Sequence, residues 1–125
     1  MLKAAICDDE QPIREYLKEL IEKRTKAEVS TFTSGEEFLR SESHTAYDII
    51  LLDISLDKAD DANGLNGMDV ARRIRETSDT IIIFVTALKE YVFEGYDVGA
   101  FNYLLKPIDE QKFIEVMDKA IEQIT

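Results

Sequence analysis

Three carboxylates stand side by side at Asp8, Asp9 and Glu10, directly after the apolar run Ala4-Ala5-Ile6-Cys7. A further acid, Asp53, lies near the end of DIILLDI (48–54), Thr86 near the end of TIIIFVTA (80–87), and Lys106 follows FNYLL (101–105). Two like charges about 4 Å apart repel by roughly 4 kcal/mol at an effective dielectric near 20. Acids crowded at the exit of a buried run are therefore either solvated or gathered around something positive. A hard divalent cation meets that need, and Mg²⁺ is the natural candidate, since it takes one or two carboxylates, several waters and phosphate oxygens.

The elements that must position these residues follow from periodicity. LKAAIC (2–7) suits a buried strand, and Ile13, Tyr16, Leu17, Leu20 and Ile21 recur at helical spacing, with Pro12 where a first turn tolerates it. EVSTF (28–32) predicts a strand, and Ser34 with Glu37 predicts a capping box opening a short helix through Phe38 and Leu39. The unbroken Ile and Leu content of 48–54 and 80–87 predicts strands buried on both faces, as in a parallel sheet. Helices are predicted over 67–76, over 89–99 with Gly99 as its C-terminal cap, and over a last segment in which Phe113, Val116, Met117, Ala120, Ile121 and Ile124 share a face.

Five strand–helix pairs with no linker predict an α/β fold: a doubly wound parallel five-stranded sheet of (βα)5 architecture, a single domain over 1–125. Ligands of such sheets bind beyond the carboxyl ends of the strands. Asp8, Asp9, Asp53, Thr86 and Lys106 all fall there. Taken alone, Asp53 is readable as a residue that merely caps a strand end; in register with the other four it reads as functional.

With 125 residues, 45% hydrophobic and 33% charged, the chain has the composition of a globular domain. No apolar run approaches the ~20 residues that span a bilayer, and the N-terminus turns acidic too soon for a signal peptide. A single cysteine, Cys7, precludes an internal disulfide and fits the cytoplasm. The net charge of −11 argues against binding nucleic acid or anionic lipid through this segment. A basic domain beyond residue 125 stays compatible with it.

The segments ICDDE (6–10), IILLDISL (49–56), IIIFVTA (81–87) and YLLKP (103–107) resemble, in order, the receiver domain of bacterial two-component response regulators. The resemblance covers essentially the whole chain. It implies the flavodoxin-like strand order 2-1-3-4-5. It also implies that Asp53 accepts a phosphoryl group from a phosphohistidine on a sensor histidine kinase. Asp9 would bind Mg²⁺ directly, Asp8 largely through water, with Asp53 and the backbone carbonyl of Ser55 as further ligands. Lys106 would pair with the phosphoryl oxygens, and Thr86 would hydrogen-bond to them. Thr86 and Tyr103 match a switch pair, and Lys106-Pro107 matches a peptide usually cis in this family. Leu88 offers no group that would activate water, which points to slow self-dephosphorylation.

LKEYVFEGYDVGAFNYLLKP (88–107) looks most like receivers attached to LytTR-type DNA-binding domains. The resemblance thus implies transcription regulation as the output. A stand-alone receiver acting through protein–protein contacts is the alternative. Tyr91, Phe93, Tyr96, Phe101 and Tyr103 are core residues by default, yet crowd a region that in the family forms a homodimer face of the fourth helix, fifth strand and fifth helix. A Mg²⁺-dependent aspartyl phosphatase of the haloacid-dehalogenase class, a true enzyme, is a remote alternative. That class places an acid–base Asp two residues after the nucleophile, where this chain has Ser55.

One departure from the family is SLDKADDANGLNG (55–67), longer than the usual loop and without proline. Asp57, Asp60 and Asp61 read either as a solvated loop with turns at Asn63-Gly64 and Asn66-Gly67 or as added negative potential beside Asp53. A calcium hand is rejected, because its first and twelfth ligands would be Ala59 and Val70. His44 reads as a surface loop residue and Cys7 as inert packing.

Overall fold

The computed structural model describes residues 2–42, 45–56 and 65–124. Five strands, β1 (Lys3–Cys7), β2 (Glu28–Phe32), β3 (Ile49–Leu52), β4 (Ile81–Thr86) and β5 (Asn102–Leu105), alternate with α1 (Gln11–Arg24), α2 (Gly35–Glu42), α3 (Gly67–Arg75), α4 (Val92–Asp97) and α5 (Glu110–Ile124). All strand pairings are parallel, in the order β2-β1-β3-β4-β5, as expected.

Alternation along each strand divides the core in two. Ala5, Cys7, Ile50, Leu52, Ile82 and Phe84 face Phe38 of α2 and Met68, Val70, Ala71 and Ile74 of α3. Ile6, Ile49, Leu51, Ile83 and Val85 face Leu17, Leu20 and Ile21 of α1 and Phe113, Val116, Met117 and Ala120 of α5. Every residue of β3 and β4 is buried, the pattern expected of central parallel strands.

Helix starts show how local chemistry sets the boundaries. Ser34 Oγ accepts the Glu37 N–H at 3.1 Å, but the Glu37 carboxylate reaches the Thr33 N–H, one residue before the Ser34 amide that a capping box would use. Asn66, read from sequence as a turn residue, is the N-cap of α3. Its side chain accepts from Asp69 N at 2.9 Å while the Asp69 carboxylate accepts from Asn66 N at 3.1 Å. The helix predicted over 89–99 is divided: Lys89–Tyr91 form a 3-10 turn, and α4 proper ends at Asp97, with Gly99 at φ +74° beyond it. No helix among the described residues is long and apolar enough to cross a membrane.

Candidate functional site

Strand register alone brings the chemistry-bearing residues to one edge. Cys7 pairs with Leu52, so the next residues, Asp8 and Asp53, leave adjacent strands together. Thr86 pairs with Leu105, which delivers Lys106 beside it. The peptides are tied in turn: Asp8 N–H donates to Phe32 C=O at 3.1 Å, Asp53 N–H to Cys7 C=O at 3.0 Å, and Lys106 N–H to Thr86 C=O at 2.8 Å. The side chains therefore start from the last rungs of a rigid sheet, which supports precise placement better than a free loop.

Asp8, Asp9, Glu10 and Asp53 each offer a carboxylate oxygen, and these atoms lie within 4.8 Å of one another. Asp53 is 2% exposed. Its Oδ1 accepts the Ser55 N–H at 3.0 Å, and its Oδ2 accepts from Lys106 Nζ at 3.0 Å. The same ammonium lies 2.9 Å from Asp8 Oδ2 and 3.4 Å from Glu10 Oε1. Asp8 Oδ1 accepts the Glu10 N–H at 2.9 Å. Asp8 Oδ2 is buried without a hydrogen bond, since its contact with Lys106 has the distance of an ion pair but not hydrogen-bond alignment.

Three carboxylates, those of Asp8, Glu10 and Asp53, thus converge on one ammonium. Burial pushes the Asp8 carboxyl above its usual range, and the Glu10 N–H and the adjacent Lys106 ammonium only partly offset this. Burial alone would lower the Lys106 pKa, but its contacts with Asp8 and Asp53 outweigh burial and hold it above the usual lysine value. The asymmetry is physical: Lys106 has several anionic partners, whereas each carboxylate has a share of one cation and like charges beside it. A buried acid oxygen lacking a hydrogen bond, inside a cluster of acids, suits the donor set of a hard divalent cation.

A second arrangement adjoins the first. Thr86, fully buried, accepts the Leu88 N–H on its Oγ1 at 3.3 Å, while Tyr103 Oη donates to the Leu88 carbonyl. Both predicted switch residues therefore meet on one residue, Leu88, at the entrance to α4. The Tyr103 ring packs on Phe84, with centroids 5.6 Å apart, and faces Gly95 of α4. Burial, then the charges of Glu90 and Asp53, raise the Tyr103 phenol to about 12.

Three contributors were not singled out as site residues from sequence. A β-carbon on Gly67 would lie 2.1 Å from the Asp53 carbonyl oxygen, so only glycine lets α3 start against the peptide of Asp53. Arg14 Nη1 donates to the Asp8 carbonyl at 2.8 Å. Glu10, read only as part of the acid run, reaches Lys106. A glycine directly after a loop near Asp53 was the available signal for the first; the other two need the folded geometry.

The remaining expectations divide cleanly. Cys7 is buried, its Sγ 3.5 Å from the Ser34 carbonyl, and burial followed by the charges of Asp8 and Asp53 pushes its thiol far above the usual range, as for inert packing. Tyr91, Phe101 and Tyr103 pack on the core, whereas Phe93 is 85% and Tyr96 54% exposed. Lys106-Pro107 is cis. His44 and Asp57, Asp60, Asp61 and Asn63-Gly64 of the acidic loop lie outside the described residues.

Known proteins share this fold. A sequence model described as the response regulator receiver domain matches residues 4–118. The sensory transduction protein LytT of Bacillus cereus is 32% identical over 125 residues, which cover 98% of this chain and 48% of LytT. The transcriptional regulatory protein YpdB of Escherichia coli is 32% identical over 120 residues, covering 94% of this chain and 47% of YpdB. The chain thus spans about half the length of these curated relatives. Among solved structures, the response regulatory domain of MrkE from Klebsiella pneumoniae superposes with a TM-score of 0.88 at 30% identity, covering 98% of this chain and 97% of that one. The BeF3-activated DrrB receiver domain superposes with a TM-score of 0.83 at 29% identity, covering 98% of each chain. With a family match across nearly its whole length and the same fold, the chain belongs to the response regulator receiver domains.

Proposed function

We propose that this chain is a phosphoacceptor: Asp53 takes a phosphoryl group from a phosphohistidine of a sensor histidine kinase. The observation that carries this reading is the Lys106 ammonium held between the buried carboxylates of Asp8 and Asp53. An Asp53 carboxylate oxygen attacks phosphorus in line. A P–O bond forms, the P–N bond breaks, and the imidazole nitrogen leaves with the electron pair and takes a proton from water. Such transfer depends on positioning and charge neutralisation more than on acid–base chemistry. Ser55 N–H and Lys106 orient the Asp53 carboxylate, and Lys106 follows the charge onto the phosphoryl oxygens.

Asp8, Asp9, Asp53 and the Ser55 carbonyl would hold Mg²⁺. Bound there, the ion would neutralise phosphoryl charge that four carboxylates otherwise repel. Thr86, drawn toward the arriving group, would release the Leu88 N–H, and Tyr103, bonded to the carbonyl of the same residue, would respond. This is a population shift biased by new charge.

The output reading rests on relatives about twice as long as this chain. YpdB is named a transcriptional regulatory protein, which supports a LytTR-type DNA-binding output carried outside residues 1–125, with those residues forming the receiver domain. The chain itself carries −11 and no nucleic-acid role. Phe93, Tyr96 and Leu105 expose apolar surface on α4 and β5, which supports a homodimer through α4, β5 and α5. The module works in the cytoplasm and acts on no substrate other than its own phosphoryl group.

Borohydride reduction tests the acceptor. An aspartyl phosphate is reduced to homoserine, so peptide mapping after phosphorylation and reduction is expected to find homoserine at position 53. Homoserine at another aspartate, with none at 53, would refute the assignment.

A further inference from the structure

The two ends of α4 are held in different ways. At its entrance the two peptides flanking Leu88 are each bonded to a switch side chain: the Leu88 N–H to Thr86 Oγ1 and the Leu88 carbonyl to Tyr103 Oη. At its exit the guanidinium of Arg75, from the last turn of α3, binds two carbonyls and takes a third from Ser78, between α3 and β4. Nε–H donates to Val98 C=O at 2.6 Å, Nη2–H to Gly99 C=O at 3.1 Å, and Nη1–H to Ser78 C=O at 3.2 Å. Carbonyls at a helix C-terminus lack intrahelical partners and carry partial negative charge, so a cation there is doubly favourable. The planar fork of arginine fixes direction as well as distance. The cap is completed by Gly99 N–H on Tyr96 C=O and Ala100 N–H on Gly95 C=O, with Gly99 at φ +74°.

We propose that Arg75 is the pivot of α4, a positioning residue that holds the Val98–Gly99 end fixed so that motion begun at Leu88 becomes rotation about that end. The proposal rests on the reading of Thr86 and Tyr103 as the switch only for what sets the helix moving. The exposed ion pair of Arg72 with Glu94, at 2.7 Å, joins α3 to the middle of α4 and contributes little, being solvated on both sides. Displacement grows with distance from a pivot. Phe93, further along the helix from Val98 than Tyr96, therefore sweeps the larger arc, and it is also the more exposed of the two rings.

Amide hydrogen exchange by NMR on the unphosphorylated chain tests this, with Val92 N–H, bonded to Lys89 C=O, reporting the moving end and Gly99 and Ala100 N–H the fixed end. Tyr103→Phe is expected to speed exchange at Val92 and leave Gly99 and Ala100 protected. Arg75→Met, which keeps the aliphatic stem and removes the donors, is expected to speed exchange at Gly99 and Ala100 by about tenfold or more. Arg75→Lys should fall between and serves as the reporter if the Met variant does not fold. The two changes together should expose the whole helix. Unchanged protection of Gly99 in both Arg75 variants would overturn the pivot, as would all three amides rising together in either single variant, the behaviour of a plain brace. Because no phosphoryl group is involved, the result stands whether or not Asp53 proves to be the acceptor.

Discussion

Gly67 stands so close to Asp53 that a β-carbon on the glycine would lie 2.1 Å from the aspartate's carbonyl oxygen and 2.7 Å from its carbonyl carbon. The obstructing atoms are backbone, so no side-chain rotation relieves the clash. Gly67→Ala must shift either the start of α3 or the end of β3. Overpacking of this kind costs about 1–3 kcal/mol, expected as a lower midpoint in urea denaturation. Because the displaced peptide is that of Asp53 itself, phosphoryl uptake should slow as well. An alanine variant with wild-type stability and uptake would show that the contact does not position the acid.

Asp8→Asn is expected to stabilise the chain at neutral pH without divalent cations. Burial raises the Asp8 pKa above its usual 3.8, so the folded state favours the protonated acid. That contribution is fully present below the unfolded value and is lost as pH rises through the folded one. At neutral pH the wild type therefore holds a disfavoured charge which asparagine lacks. The gap between variant and wild type should narrow as pH falls toward 4, and Mg²⁺ should stabilise the wild type more than the variant. A variant less stable than wild type at neutral pH would mean that the ion pair with Lys106 outweighs the burial cost.

Tyr103→Phe removes the hydrogen bond to the Leu88 carbonyl and should cost about 0.5–1.5 kcal/mol. In an alkaline titration followed by tyrosinate absorbance, a step with its midpoint at about 12 should vanish in the variant. The sign for stability follows from the raised value. The contribution of Tyr103 is present below pH 10 and is lost as pH climbs from 10 through about 12, so wild type should lose stability across that window faster than Tyr103→Phe.

Gly95→Ala brings a β-carbon to 3.0 Å from Tyr103 Cδ2 and 3.3 Å from two Phe84 ring atoms. Alanine gains roughly 1 kcal/mol of helix propensity over glycine, which offsets much of the crowding. The expected net change in stability is therefore small. The Tyr103 ring, only partly buried, is the neighbour able to yield, and its titration midpoint should fall from about 12 toward the ordinary tyrosine value. An unchanged midpoint would show that α4 rather than the ring gives way.

The strands and the gathering of Asp8, Asp53, Thr86 and Lys106 at one edge were legible because they rest on short-range pattern: unbroken apolar runs for β3 and β4, helical spacing for α1 and α5, and a polar or charged residue at the exits of β1, β3, β4 and β5. The strand order came from the family resemblance alone. What was not legible depends on approach between distant segments. Gly67 reads as a turn residue until Asp53 is seen beneath it. Arg75 reads as one of several surface arginines on α3 until its carbonyl partners beyond α4 are in place. Asn66 caps α3 with Asp69, a pairing that a search for Ser or Thr followed by Glu passes over. The run 89–99 carries helical spacing throughout, yet its first residues close into a tighter turn where Leu88 is held by Thr86 and Tyr103. Tertiary bonds overrode local periodicity there.

The most direct test of the phosphoacceptor reading is intact mass after incubation with acetyl phosphate and Mg²⁺, for wild type and Asp53→Asn side by side. The account predicts a gain of one phosphoryl group by the wild type, lost when Mg²⁺ is chelated and absent from the variant. Equal gain by Asp53→Asn, or no gain by the wild type even from a phosphorylated cognate kinase, would contradict it.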